Sequence, residues 1–207
     1  MRGIAFLRNL LAAFLLLAGG AMTTAARGDE IEITDASLSA TEDGIVLAAD
    51  FAFELGPRLL EVATNGVPLY FVVEFELNRP RWYWFDEKAA TRRIQIRLSY
   101  HALSRQFRLS TGVLQQSYAS LEEAMHVLRR VRNWLVVDRG TVLSDATYEA
   151  SVRMRLDVAM LPKPFQLSAI TSRELTLESP WKRFAFRPGP ALPAPVESRE
   201  PREADVR

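Results

Sequence analysis

The chain has 207 residues, 48% of them hydrophobic, with 26 basic side chains against 25 acidic ones, and it contains no cysteine. These proportions fit one ordinary globular domain or two very small ones, and they exclude bulk disorder, a collagen-like repeat and a multi-span membrane protein. Without cysteine there is no disulfide, no thiolate nucleophile and no Cys-based zinc or iron–sulfur site.

Arg2 and Arg8 precede nine uninterrupted apolar residues, Leu10 to Ala18, followed by Gly19-Gly20 and the small-residue stretch Ala21 to Ala26. A basic segment, an apolar core and a small-residue zone predict a secretory signal peptide over residues 1–26, cut near Ala25 or Ala26. The apolar run is shorter than the roughly 20 residues of a crossing helix. Leu10 to Ala26 nevertheless carries no charge, so an uncleaved N-terminal anchor is the alternative. No cysteine follows the apolar core to take a lipid, and membrane contact is expected only if the leader is retained. The expected location is the periplasm. Loss of Arg2 and Arg8 would leave 24 basic residues against 25 acidic ones.

Ile31 and Ile33 open a short alternating stretch, Thr41-Glu42-Asp43-Gly44 supplies turn chemistry, and Ile45, Leu47, Ala49, Phe51, Phe53 and Leu55 alternate after it. This predicts a β-hairpin with one buried face. Pro57 as a starter, Leu59, Leu60 and Ala63 as apolar positions, and Gly66 after Asn65 as a stop predict a short helix. Val67 to Leu77 is the strongest strand, with Leu69, Phe71, Val73, Phe75 and Leu77 on one side. Asn78-Arg79-Pro80 turns it into Arg81-Trp82-Tyr83-Trp84-Phe85, a short strand aromatic on both faces. Ile94, Ile96, Leu98 and Tyr100 alternate again, with Phe107 and Leu109 as a weaker partner strand.

Ser120-Leu121-Glu122-Glu123 is a capping box, and Leu121, Ala124, Met125, Leu128 and Val131 follow at helical spacing, which predicts a helix to about Arg130. Arg129, Arg130 and Arg132 suit the negative end of its dipole. After a polar connection, Tyr148, Ala150, Val152, Met154 and Leu156 form another strand. Leu161-Pro162-Lys163-Pro164-Phe165 reads as a loop or edge. Leu175 and Leu177, then Phe184 and Phe186, read as closing strands split at Ser179-Pro180. The expected architecture is α+β, a mainly antiparallel sheet, sandwich-like or curved, with two short helices. It forms one β-rich domain over residues 28–187, followed by a Pro-rich disordered tail, 188–207.

Charge is graded along the chain. Gly28 to Asn78 holds eleven acids against one base, Arg58, whereas Arg79 to Arg139 holds twelve bases against five acids. In a single sheet the acidic strands would pair with the basic ones. The alternative is a basic face turned toward anionic lipid or a polyanion.

Gly66-Val67-Pro68-Leu69-Tyr70-Phe71 running on through Arg79-Pro80-Arg81-Trp82-Tyr83-Trp84-Phe85-Asp86-Glu87, then Leu98 to Phe107, Arg153 to Asp157 and Leu161 to Gln166, resemble the bacterial family known as domain of unknown function 4390. The resemblance spans nearly the whole mature domain. It implies an exported protein, chiefly of Gram-negative proteobacteria, with no assigned activity and no catalytic residues to carry over. It also points to an envelope signalling role beside a membrane sensor kinase.

Catalytic signals are sparse. Glu122 and His126 stand four residues apart on the predicted helix and could give two metal ligands, but with no third or fourth ligand evident the favoured reading is a solvent-facing pair on a charged helix face. Ser104 or Ser110 near His101 suggests a Ser-His pair without a third member. Glu74 and Glu76 share a strand face and could mimic a hydrolase dyad, yet beside the acidic segment they read as a salt-bridged face. There is no phosphate loop and no nucleophile elbow. No enzyme, metal or cofactor is therefore expected.

The candidate partner or ligand surface is aromatic: Trp82, Tyr83, Trp84 and Phe85, flanked by Arg79 and Arg81. A helix or loop covering the second face would make all four core residues. The basic flanks would suit single-stranded nucleic acid, which export argues against. The leading expectation is an envelope interaction module docking onto a membrane protein such as a sensor kinase. The alternative is a periplasmic binding protein for an apolar small molecule or lipid, held between the sheet and the helix from Ser120 to Arg130.

Overall fold

A computed structural model describes residues 30–80, 87–143, 146–171 and 173–189. The expected leader, the segment Arg81 to Asp86 and the tail from Pro190 lie outside these residues. The elements in chain order are β1 (Glu32–Ala40), β2 (Gly44–Ala52), α1 (Pro57–Thr64), β3 (Leu69–Arg79), β4 (Glu87–His101) and β5 (Gln106–Thr111). There follow β6 (Leu114–Tyr118), α2 (Leu121–Leu128), β7 (Arg130–Asp138), β8 (Tyr148–Leu156), α3 (Lys163–Thr171) and β9 (Lys182–Phe186). Short 3-10 turns at Val158–Met160 and Arg173–Leu175 flank α3.

The strands form two antiparallel sheets, one in the order β1-β2-β7 and one in the order β6-β5-β4-β3-β8-β9. Alternation decides which face is buried. On β3, Leu69, Phe71, Val73, Phe75 and Leu77 are fully buried, while Glu74 and Glu76 between them are only half-buried. Leu47 and Ala49 of β2, Leu98 of β4 and Ala150, Val152 and Met154 of β8 join the same core. Leu59, Val62 and Ala63 of α1, with Ala124, Met125 and Leu128 of α2, close it. Among the described residues no helix is long and apolar enough to cross a membrane.

The β1–β2 hairpin, α1 and the Ser120 cap follow the sequence expectation. Glu123 N donates to Ser120 Oγ at 3.2 Å, and the Glu123 carboxylate accepts from the Ala119 amide, one residue before the expected Ser120 amide. Other expectations need correction. There are three α-helices, because α3 begins just after Pro162, with Pro164 in its first turn. Proline is tolerated there, since first-turn amides have no intrahelical acceptor. The helix α2 stops at Leu128, and the expected polar connection is largely a strand, β7, paired with β2.

The physical reason that β7 escapes a period-two pattern is its bulges. Leu47 and Ala49 of β2 face Trp134 and Val131, so β7 carries an extra residue, and Asn133 takes φ 52° there. A second shift, between Ile45 and Val46, makes Val136 and Val137 consecutive buried residues. Each bulge reverses the alternation, so apolar residues stop recurring at every second position. The strand β6 is exposed and polar and offers no pattern at all. Leu175 sits in a 3-10 turn, while Leu177 to Ser179 joins the end of β8 through Leu156 N to Leu177 O and Ser179 N to Met154 O.

Gly44 starts β2 where that strand meets the end of β7. Its φ is +148°, and a Cβ there would lie 2.1 Å from the Val137 carbonyl oxygen. Gly140 also has a positive φ, +80°, but open space around it. Gly44→Ala is therefore expected to lower the thermal midpoint well beyond Gly140→Ala, whose cost is only the left-handed strain of about 1–2 kcal/mol. Equal midpoints by circular dichroism would show that the β2–β7 approach is looser than described.

Candidate functional site

The outward face of the six-stranded sheet is a charged lattice built on β3. In register, Glu74 stands opposite Arg93 of β4 and Arg153 of β8, and Tyr70 opposite Arg97. The Arg153 Nε donates to Glu74 at 2.5 Å and Arg155 to its other oxygen at 3.3 Å, while Lys88 lies 3.6 Å from Glu76. Val72 points outward yet is only 4% exposed, flanked by Gln95 and Arg155. The Arg153 guanidinium lies 4.6 Å from the centre of the Trp181 ring, and that of Arg97 lies 5.9 Å from the centre of Tyr70. Arg93 and Arg97 are exposed and have no carboxylate partner among the described residues.

Acidic and basic strands do pair, although over two sheets rather than one. Asp50 of β2 binds Arg132 of β7, Glu54 binds Arg129, and Arg92 of β4 reaches Asp138 of β7, each at 2.5 Å. Of the arginines after α2 expected to answer the helix dipole, Arg132 thus ties β7 to β2 and Arg129 ties the end of α2 to the residues after β2. Arg129 also donates to Phe53 O, and Arg132 to Ala49 O. Arg130 and His126 remain exposed around a polar hollow of about 350 Å³.

Of the candidate aromatic surface, the described residues include only Arg79, the half-buried last residue of β3, in register with Glu87. Arg81, Trp82, Tyr83, Trp84 and Phe85 lie outside them. The other candidates are placed as follows. His101 Nδ1 is 3.0 Å from Ser104 Oγ and accepts from the Ser104 amide at 3.3 Å, so this Ser-His pair secures the β4–β5 turn. Ser110 faces Arg97 on β4 and is no part of it. Glu122 and His126 are both exposed on α2, and among the described residues no three His, Asp or Glu side chains converge as a metal site. Glu74 and Glu76 are engaged by cations, as a salt-bridged face requires.

The space between α2 and the sheet is filled by Ala124, Met125 and Leu128, so the ligand pocket expected there is replaced by packed core. A cleft of about 620 Å³ opens elsewhere, at the seam between the two sheets. Ile31 N donates to Glu178 O and joins β1 to the edge of the larger sheet. Two residues on, Pro180 has no amide to continue the pairing. Lys182 Nζ bridges instead to the carbonyls of Ile33 and Thr34, at 3.1 and 3.0 Å. Ile31, Ile33, Ala52, Phe53 and Pro180 line the cleft, with Glu30, Glu32 and Glu54 at its borders. Only Ser179-Pro180, splitting an otherwise apolar strand pattern, hinted at this opening in the sequence.

Burial alone pushes the Glu74 carboxyl up, but the hydrogen bonds and charges of Arg153 and Arg155 outweigh it and hold the group below the ordinary glutamate range. Its ionised form therefore stabilises the fold at neutral pH, and this contribution is lost as pH falls through the lowered value. Glu74→Gln is expected to cost about 1.5–3 kcal/mol at pH near 7, the scale of hydrogen bonds to charged groups, and to match the parent chain in strong acid. Urea midpoints across pH check this; a difference independent of pH would contradict it.

No curated protein and no solved structure matches the chain. The profile of a family described as a domain of unknown function (DUF4390) matches residues 28–185, from just before β1 into β9. The match covers most of the 207 residues and all of the charged face and cleft described above, and the chain belongs to the DUF4390 family.

Proposed function

We propose that this protein is exported to the periplasm, with residues 1–26 removed as a signal peptide, and acts there without catalysis as an interaction module. Its expected partner is a membrane protein, with the extracytoplasmic part of a sensor kinase first among the candidates. The observation that carries this reading is the charged outer face of the six-stranded sheet. Exposed Arg93 and Arg97 stand there beside Tyr70 and Trp181, and arginine and large aromatics are the residues that most often anchor protein interfaces. Paired acids along β3 hold the neighbouring arginines in place, which reduces the ordering cost of docking. The segment Arg81 to Phe85, which lies outside the described residues, is proposed as part of the partner surface on its arginine and aromatic composition alone. In this reading the two sheets stack as a sandwich-like pair over one core, with the charged face of the larger sheet turned outward.

A second reading is favoured by the cleft at the seam: a binding protein for an apolar small molecule or lipid. Its volume lies within the roughly 300–1,000 Å³ of small-molecule sites, and its walls are largely apolar.

A photo-crosslinking side chain at Gln95 is expected to capture a membrane protein in intact envelopes, and one at Ser37 on β1 is not. Arg93→Glu with Arg97→Glu should abolish the Gln95 product, and Trp82→Ala should weaken it. Equal capture from Ser37, or a Gln95 product indifferent to the double charge reversal, would overturn the outer face as the docking surface. Intact-mass analysis of the same material should find a chain starting near Arg27; a chain retaining Met1 would replace export in free form by anchoring.

A further inference from the structure

Among the described residues the two sheets present four edge strands, and three of them are guarded against pairing with a further chain. The strand β1 carries Glu32, Asp35 and a bulge between Ile33 and Asp35, and β7 carries Arg130, Arg132 and two bulges. The strand β9 carries Lys182 and Arg183 and stands between Pro180 and Pro188. Charges, bulges and prolines are the devices that keep an open edge from acting as a template. The fourth edge, β6, has none of them: Leu114-Gln115-Gln116-Ser117-Tyr118 is uncharged, free of proline and paired with β5 in unbroken register. Four of its five side chains are exposed, Leu114 at 73%. The two-residue turn at Gly112-Val113 makes Thr111 and Leu114 the closing hydrogen-bonded pair, so the backbone groups of Gln116 and Tyr118 also point to β5. Those of Gln115 and Ser117 point to the open edge, where no described strand pairs with them.

We propose that this edge pairs with β6 of a second copy of the chain, antiparallel about a twofold axis at Gln116, joining two six-stranded sheets into one. The strand is complementary to itself in that register. Gln115 and Ser117 exchange backbone hydrogen bonds with Ser117 and Gln115 of the second copy, which satisfies the open donors and acceptors of both strands. Leu114 stands opposite Tyr118 of the other copy, twice over, so an exposed aliphatic group gains an aromatic cross-strand neighbour. Gln116 meets its own counterpart, amide to amide. No charged residue lies on the joined strands, and three strand spacings, about 14 Å, separate the two copies of β5 that bear Arg108, which exceeds the screening length at physiological salt. A foreign strand finds no charge on β6 to select it, whereas the strand's own sequence fills the register without a mismatch. The axis runs perpendicular to the sheet, so both charged outer faces lie on the same side of the dimer.

The chain contains no cysteine, so a single introduced thiol reads the contact directly. Directly opposed residues that share no backbone hydrogen bond bring their Cβ atoms to about 4.5 Å, within reach of a disulfide. Gln116→Cys in the full chain, oxidised in intact envelopes, is expected to yield a disulfide-linked dimer. Val113→Cys is not: Val113 is 100% exposed, but it would face Ala119 of the second copy and stand roughly 20 Å from its own counterpart. Sedimentation equilibrium of the purified parent chain should find a concentration-dependent balance of monomer and dimer. Ser117→Pro removes a donor from the open edge without touching the β5 ladder, and two hydrogen bonds lost per dimer should raise the dissociation constant roughly tenfold or more. Ser117→Lys is expected to act in the same direction, and it serves where proline disturbs the hairpin. A strictly monomeric parent chain, a Gln116→Cys chain that stays monomeric, or equal linking through Val113→Cys would overturn the proposal. So would a dimer indifferent to both Ser117 variants, or a Gln116→Cys product joined to a different protein, which would assign the edge to a foreign strand.

Discussion

The side chains of Leu69, Phe71, Val73, Phe75 and Leu77 are all withdrawn from water, and the strand that bears them is hydrogen-bonded along both edges, to β4 and to β8. A strand paired on both sides cannot slip by one residue without sending five buried apolar groups into solvent. Each such group is worth on the order of 1.5–3 kcal/mol, so the register of β3 is strongly fixed. That register dictates everything on the opposite face. Glu74 and Glu76 must point outward, and the basic residues of β4 and β8 must meet them there. The charged lattice is thus a geometric consequence of the core beneath it.

The same constraint links the fold to its proposed roles. Ion pairs between half-exposed side chains add modest stability, and their larger effect here is to hold Arg153 and Arg155 in fixed orientations around one carboxylate. Arg93 and Arg97, across β3 from those pairs, keep their charge available to a partner. The cleft arises from a different local rule, the missing amide of Pro180 at the point where the smaller sheet meets the larger one. An unpaired edge there is managed by one lysine bound to two carbonyls, which leaves an apolar opening beside it.

Much of this was legible in the residues. The β1–β2 hairpin, α1, β3, the Ser120 cap and β8 follow from clean periodicity, turn chemistry and capping, because each is decided within its own segment. The salt-bridged reading of Glu74 and Glu76 also held, since a strongly acidic stretch beside a strongly basic one has few other ways to fold. Bulges concealed β7: the extra residue near Asn133 erased its alternation, and its pairing with β2 depends on residues eighty or more positions away. The helix α3 was hidden by prolines, whose meaning changes from breaker to first-turn residue with position. The cleft was least legible, as it needs β1, the end of β2 and the start of β9 to be brought together.

The outer face of the six-stranded sheet is the proposed docking surface of this DUF4390 member. Hydroxyl-radical footprinting in the presence and absence of envelope membranes tests it directly, because Tyr70 and Trp181 report from that face and Trp134 of β7 reports from the smaller sheet. Docking through this face would cost Tyr70 and Trp181 reactivity when membranes are added and leave Trp134 unchanged. Unchanged Tyr70 and Trp181 beside a protected Trp134 would contradict it and move the docking surface to the β1-β2-β7 sheet.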